Sequence, residues 1–261
     1  MESKTGAKIP IEVTNSFNNF LLEMDSNGLF LTLISISEKY LRENIDDARL
    51  ILLNLLKNNL EEDHLKKLNI SYERLNDDFF SFASYEGYFC QMAFARSIDN
   101  VITYFKDVLS EILVKRPEIL KSSKETERLD FIFSYSNYDD LKKAMIDKKI
   151  SDLFYGGIND IEKYFDDRLG IKLFEDDEDK YFFSMFVEQR NLIVHNRGRI
   201  TKEFLKKFKD FEALPGEYFL IRFNDLLELN TGLNNFLAYL DSNLASKYNL
   251  DLINRLDHGV K

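Results

Sequence analysis

Apolar residues recur at intervals of three and four along nearly the whole chain, the period of helices buried on one side. The clearest stripe is Ile98, Val101, Ile102, Phe105, Leu109 and Ile112. Asn76, Asp77 or Asp78 supplies a cap upstream and Pro117 a stop downstream, which predicts a helix roughly 50 Å long at about 1.5 Å per residue unless Gly87 interrupts it. Upstream, Leu29 to Lys57 reads as one or two amphipathic helices, with Leu50, Leu53, Leu56 and Leu60 at helical spacing. Downstream, a helix from Tyr138 to Phe154 ends at Gly156-Gly157, and a second opens at Asn159 and closes at Gly170. The acidic run Glu175 to Asp179 offers N-caps and dipole-complementary charge for a helix reaching about Asn196, which Gly198 ends. Thr201 caps a further helix to about Phe211. Leu214-Pro215-Gly216 makes a turn, Tyr218 to Arg222 a short extended piece, and Asn224 to Lys247 a long closing helix.

With three prolines, ten glycines and no repeat or low-complexity linker, the pattern predicts an all-α helical bundle. Residues 1–70 read as an N-terminal helical extension and residues 71–261 as the main helical domain. The 44% apolar content, with 23 Phe and 13 Tyr, suffices for a packed core in 261 residues. Apolar runs such as Leu29 to Ile36 fall short of the roughly 20 residues of a membrane span. Cys90 stands alone and forms no internal disulfide, and Met1 to Pro10 lacks the basic flank and apolar run of a signal peptide, so a cytoplasmic location is expected.

Charge changes this picture at one place. The chain carries −10 overall, which argues against wholesale wrapping of nucleic acid. Residues 190–209, however, hold Arg190, Arg197, Arg199, Lys202, Lys206, Lys207 and Lys209 against the single acid Glu203, a local charge of +6. Such a patch attracts phosphate, although a solvated helix face has the same composition.

The patch begins in Arg190-Asn191-Leu192-Ile193-Val194-His195. On this helix Phe182, Phe183, Phe186, Val187, Ile193 and Val194 mark the apolar face, and Arg190 interrupts it. A guanidinium there must find an anion, because an unpaired buried charge costs several kcal/mol. Asp99 or Glu162 would serve as a structural partner; a bound phosphate is the other reading, well suited to the planar guanidinium fork. Ser184, Glu188, Asn191 and His195 share a polar face, while Arg190 lies about 140° from His195 at roughly 100° per residue. Only a long side chain reaches round to a shared site.

Other chemistries lack residues. His64 sits in a charged run and His258 in the tail, so both read as solvated surface residues. No second well-placed His or Cys pair offers a zinc site, and no cofactor or metal is expected. Nor is there a Walker loop, a nucleophile elbow or a His-Glu-x-x-His pair. What remains is a histidine able to move protons and a cation able to stabilise charge on a phosphorane, enough for metal-independent phosphodiester cleavage.

The run Glu188-Gln189-Arg190-Asn191-Leu192-Ile193-Val194-His195-Asn196-Arg197-Gly198 resembles the HEPN superfamily, whose signature is an arginine, four to six residues, then a histidine, often with a polar residue right after the arginine. The resemblance extends from about Phe79 to Tyr248. It implies an all-α HEPN-type bundle with added N-terminal helices, a homodimer with facing motif helices, and an endoribonuclease acting as a toxin, abortive-infection or antiviral effector or in RNA processing. It also implies roles: His195 as general acid or base, Arg190 on the phosphate, Asn191 as orienting group, Glu188 in support, and Arg197, Arg199 and Lys202 on the RNA backbone. Attack by a ribose 2′-OH would leave a 2′,3′-cyclic phosphate, so DNA would be inert. The partners implied are RNA, a second copy and an antitoxin or regulatory protein. A toxin subgroup carries a tyrosine two residues after the histidine, the target of a partner nucleotidyltransferase; here Arg197 stands there. Some HEPN domains are inactive and bind a nucleotide, RNA or a partner protein, the alternative expectation.

Overall fold

Thr14 closes the first helix from outside. Its backbone is extended and its hydroxyl accepts the Phe17 N–H at 3.1 Å, so α1 runs Asn15–Glu43, starting well before the Leu29 expected from the apolar pattern. In this computed structural model the described residues are 9–44, 82–121 and 126–255. The cap candidates Asn76 to Asp78, the leucine stripe Leu50 to Leu60, and His64 and His258 lie outside them, as does the expected boundary near residue 70.

Helix α2, Phe82–Lys115, is the axis of the bundle. Of its stripe, Ile98, Val101, Phe105, Leu109 and Ile112 are fully buried and Ile102 is half-buried, and Gly87 does not break the helix. Helix α1 packs antiparallel to α2, with Phe17 and Phe20 against Tyr104 and Asn27 donating to the Ala93 carbonyl at 2.9 Å. Its Phe17, Phe20, Leu21, Met24 and Leu31 belong to the same core as α2. The described part of the N-terminal region is therefore a layer of the bundle and shares its interior.

Beyond Pro117, a short helix α3, Leu129–Phe133, leads to α4, Tyr138–Tyr155, capped by Asn137, and to α5, Ile158–Tyr164. A π-turn over Phe165–Leu169 follows, and Gly170 closes it at φ 58°. Helix α6, Asp177–Asn196, carries the motif. Helix α7, Lys202–Lys207, stops short of the expected Phe211, and α8, Phe223–Tyr248, closes the bundle. Its Leu233, Leu237, Leu240 and Leu244 form the apolar stripe facing the core.

A feature absent from the periodicity is a two-stranded antiparallel sheet: β1, Glu12–Thr14, pairs with β2, Leu252–Asn254. Three residues per strand are too short to show a period of two. The fold is an all-α bundle in which this ribbon clasps residues 12–14 to residues 252–254. None of the helices among the described residues is long and apolar enough to cross a membrane.

The clasp is backed by a polar interior. Asp241 on α8, 2% exposed, accepts the Thr14 N–H at 3.1 Å, the Thr14 hydroxyl at 2.5 Å and the Tyr104 hydroxyl at 3.0 Å. Glu111 on α2 accepts the Ser16 N–H at 2.9 Å and the Ser16 hydroxyl at 2.5 Å. Both carboxyls sit at the N-terminus of α1, where free N–H groups and the helix dipole favour negative charge. Burial nonetheless pushes both above the ordinary carboxylate range, the Thr14 and Ser16 hydrogen bonds pulling the other way.

Candidate functional site

Asp176 starts the motif helix, its side chain accepting the N–H groups of Glu178 at 3.0 Å and Asp179 at 2.9 Å. Burial, then the neighbouring Asp176 and Glu175, raise the Asp179 carboxyl. At the other end, Arg197 at φ 56° and Gly198 at φ 72° are successive left-handed residues, and the Gly198 N–H reaches back to the Leu192 carbonyl at 2.9 Å. A Cβ on Gly198 would lie 2.9 Å from Gln91 of α2, so this turn presses directly on the central helix.

The buried side of α6 carries Phe183, Gln189 and Leu192, and Phe186 meets Phe94 edge-on. Val194, expected on the apolar face, is 49% exposed. The helix is rolled so that Gln189 and Leu192 turn inward and Val194 outward.

Arg190 lies at the edge of that buried side, its side chain 23% exposed. Its Nε is 2.8 Å from Asp99 Oδ1 on α2, the partner the residue pattern nominates, although the N–H does not point along that line and forms no hydrogen bond. Glu162, the other nominee, pairs instead with Lys180 at 2.6 Å. Arg190 Nη1 donates to Asn191 Oδ1 at 3.2 Å, Asn191 Nδ2 is 3.4 Å from Glu188 Oε2, and Lys207 Nζ of α7 donates to Glu188 Oε1 at 2.7 Å. A polar chain thus runs from Asp99 through Arg190, Asn191 and Glu188 to Lys207. Lys207 was the member that spacing along α6 could not supply, because it arrives from another helix.

His195 stands one turn beyond Asn191, exposed and without a hydrogen-bond or ion-pair partner among the described residues. Asn191 Oδ1 accepts from Arg190, and no hydrogen bond joins Asn191 to the imidazole. Of the three expected backbone contacts, Arg197 and Lys202 are exposed and unpaired among the described residues. Arg199 is occupied: its guanidinium stacks 4.3 Å from the Tyr218 ring centroid and donates to the Tyr218 hydroxyl and the Gly216 carbonyl, both at 2.9 Å. It clasps the turn at residues 214–218 to the end of α6, where the extended piece reduces to a single Arg199–Tyr218 bridge.

Among the described residues no three His, Cys, Asp or Glu side chains converge as metal ligands. A shallow depression by Pro10, Ile11, Glu12 and Leu252 belongs to the terminal ribbon and holds none of the motif residues. Compared with family models, curated proteins and solved structures, the chain matches none.

Proposed function

We propose that the chain is a metal-independent endoribonuclease of HEPN type, its active site completed by a second copy. One observation carries this reading. Arg190 is held at its base by Asp99 and Asn191 while its Nη2 makes no hydrogen bond among the described residues, and His195 projects free one turn further on. A guanidinium braced by a carboxylate keeps a defined direction and still has donors for a phosphate.

In the reaction proposed, one His195 imidazole takes the proton of a ribose 2′-OH, and the oxygen attacks the adjacent phosphorus. The P–O5′ bond breaks, and the His195 imidazolium of the second copy protonates the departing 5′-oxygen. Products are a 2′,3′-cyclic phosphate and a 5′-hydroxyl, with no external reactant consumed. Arg190 stabilises the charge on the equatorial oxygens, and Arg197 and Lys202 hold the flanking backbone. Such an activity suits a toxin, abortive-infection or antiviral effector in the cytoplasm.

RNA incubation with end-group analysis tests the proposal. Cleavage in the presence of chelator, a cyclic phosphate end, inert DNA, and losses of about 100-fold or more in His195→Ala and Arg190→Ala are expected. Intact RNA, or cleavage indifferent to both substitutions, overturns it. The Asp99 ion pair favours a second reading, a non-catalytic module that binds a nucleotide, RNA or a partner protein, because it already neutralises Arg190 within the fold. Salt-dependent RNA binding without cleavage would select that one.

A further inference from the structure

Helix α1 is apolar on two opposite sides, and among the described residues only one of them is packed. Phe17, Phe20, Met24, Asn27 and Leu31 face α2 and the core. Half a turn away, Leu22, Leu29, Leu33, Ile36 and Tyr40 are each between 47% and 62% exposed. With Ser26 they fall at steps of 4, 3, 4, 3 and 4, the alternation of a coiled-coil seam. The seam runs about 27 Å at 1.5 Å per residue. Its one wholly polar side chain is already satisfied, since the Ser26 hydroxyl donates to the Leu22 carbonyl at 2.8 Å and needs no water if covered. Thr32, flanking the seam, does the same with Gly28 at 2.9 Å.

The seam reads the same in both directions about Leu31. If a second α1 lies antiparallel across it, Leu29 meets Leu33 of the second copy, Ser26 meets Ile36, and Leu22 meets Tyr40, so large faces large or a small residue faces the branched one. The same register decides the flanks. Asp25 comes beside Lys39 of the second copy, Lys39 beside Asp25, and Thr32 beside its own counterpart. Asp25 and Lys39 are both exposed and have no ion-pair partner among the described residues. A parallel pairing would instead set Asp25 toward Phe30 of the second copy and Lys39 toward Asn44, with no ion pair.

We propose that α1 is a self-association helix that pairs antiparallel with α1 of a second copy, through the seam Leu22, Leu29, Leu33, Ile36 and Tyr40 and two Asp25–Lys39 ion pairs. The pairing is isologous, so it closes after two copies. It is separate from the association of motif helices that the ribonuclease reading requires, because seam and motif lie on different helices, each packed on α2 through its other side.

Sedimentation of the full chain tests the pairing. The expected result is an assembly of two copies, or of more where the motif helices also associate, and in either case Leu33→Glu weakens the α1 step at least about tenfold. Asp25→Lys, which sets lysine against Lys39, weakens it about tenfold, and adding Lys39→Asp restores it to within about threefold. The charge variants sit at exposed positions and remain informative if Leu33→Glu fails to fold. A monomer overturns the proposal. Failure of the double reversal to restore association also overturns it. So does a dimer lost in Val194→Asp but indifferent to Leu33→Glu, which would place association at the motif helix.

Discussion

Arg197 holds a left-handed conformation that costs a side-chain-bearing residue about 1 kcal/mol, and among the described residues it gains no partner in return. Glycine at this position would relieve the strain. Arg197→Gly is therefore expected to raise stability by about 0.5–1 kcal/mol in urea denaturation while weakening RNA binding and its salt dependence. Stability gained with RNA binding unchanged would remove Arg197 from the proposed phosphate track. Asp99 separates the two readings of Arg190. Because both side chains of the pair are partly exposed, Asp99→Asn is expected to cost only about 1 kcal/mol or less of stability. If the carboxylate braces a catalytic guanidinium, cleavage falls about tenfold or more although the fold survives. Unchanged cleavage would show that Arg190 needs no brace.

Gly28 sits inside α1 with nothing within 4 Å of where a Cβ would be. Gly28→Ala is expected to stabilise the protein by about 0.5–1 kcal/mol in thermal or urea melts, the entropic cost of a mid-helix glycine being removed without a clash. A loss of stability would mean that the site is occupied. Elements like α1 also show what periodicity transmits and what it hides. The cap Thr201, a cap within the run Glu175 to Asp179, the stop at Gly170 and the bounds of α4 and α6 were legible because each rests on a local rule: a side chain accepting backbone N–H groups, or a left-handed residue. Three features were not. The start of α1 precedes its expected position because Asn15, Ser16, Asn18 and Asn19 dilute the apolar signal, although Phe17, Phe20 and Leu21 are buried. The ribbon joins residues more than 200 positions apart, which no window sees. The roll of α6 that exposes Val194 is set by the packing of Phe186 on Phe94, a tertiary choice. For the site, Asp99 followed from asking what a buried guanidinium needs. Capture of Arg199 by Tyr218 did not, since a cationic side chain beside a turn reads as phosphate-binding until the ring is placed beneath it.

At the scale of the whole molecule, an acidic chain has drawn two of its carboxyls inward to hold the start of α1. Asp241 and Glu111 bind the first turn of α1 from α8 and α2, and burial raises both, with Asp241 adding to the rise at Glu111. In the unfolded chain each would titrate at about 4. Between that value and the raised one, the folded state holds more protons than the unfolded state. Stability from these groups is therefore fully present at acidic pH, declines as pH rises through the raised range, and stays lower above it. Asp107 and Asp179, also raised by burial, act in the same direction. Asp225, lowered by its hydrogen bonds from Arg222, opposes them, but it is solvated and its contribution is screened. Urea midpoints are thus expected to rise as pH is taken from neutral to mildly acidic, before general protonation of the remaining carboxylates reverses the trend. Asp241→Asn removes the buried charge and retains an amide oxygen for the Thr14 N–H. This variant is expected to flatten the rise, and Asp241→Ala to lower stability at every pH by about 2–4 kcal/mol, because Thr14 and Tyr104 lose their acceptor. A midpoint that falls monotonically from neutral pH, or a slope unchanged in Asp241→Asn, would show that the clasp is not where the acid sensitivity resides.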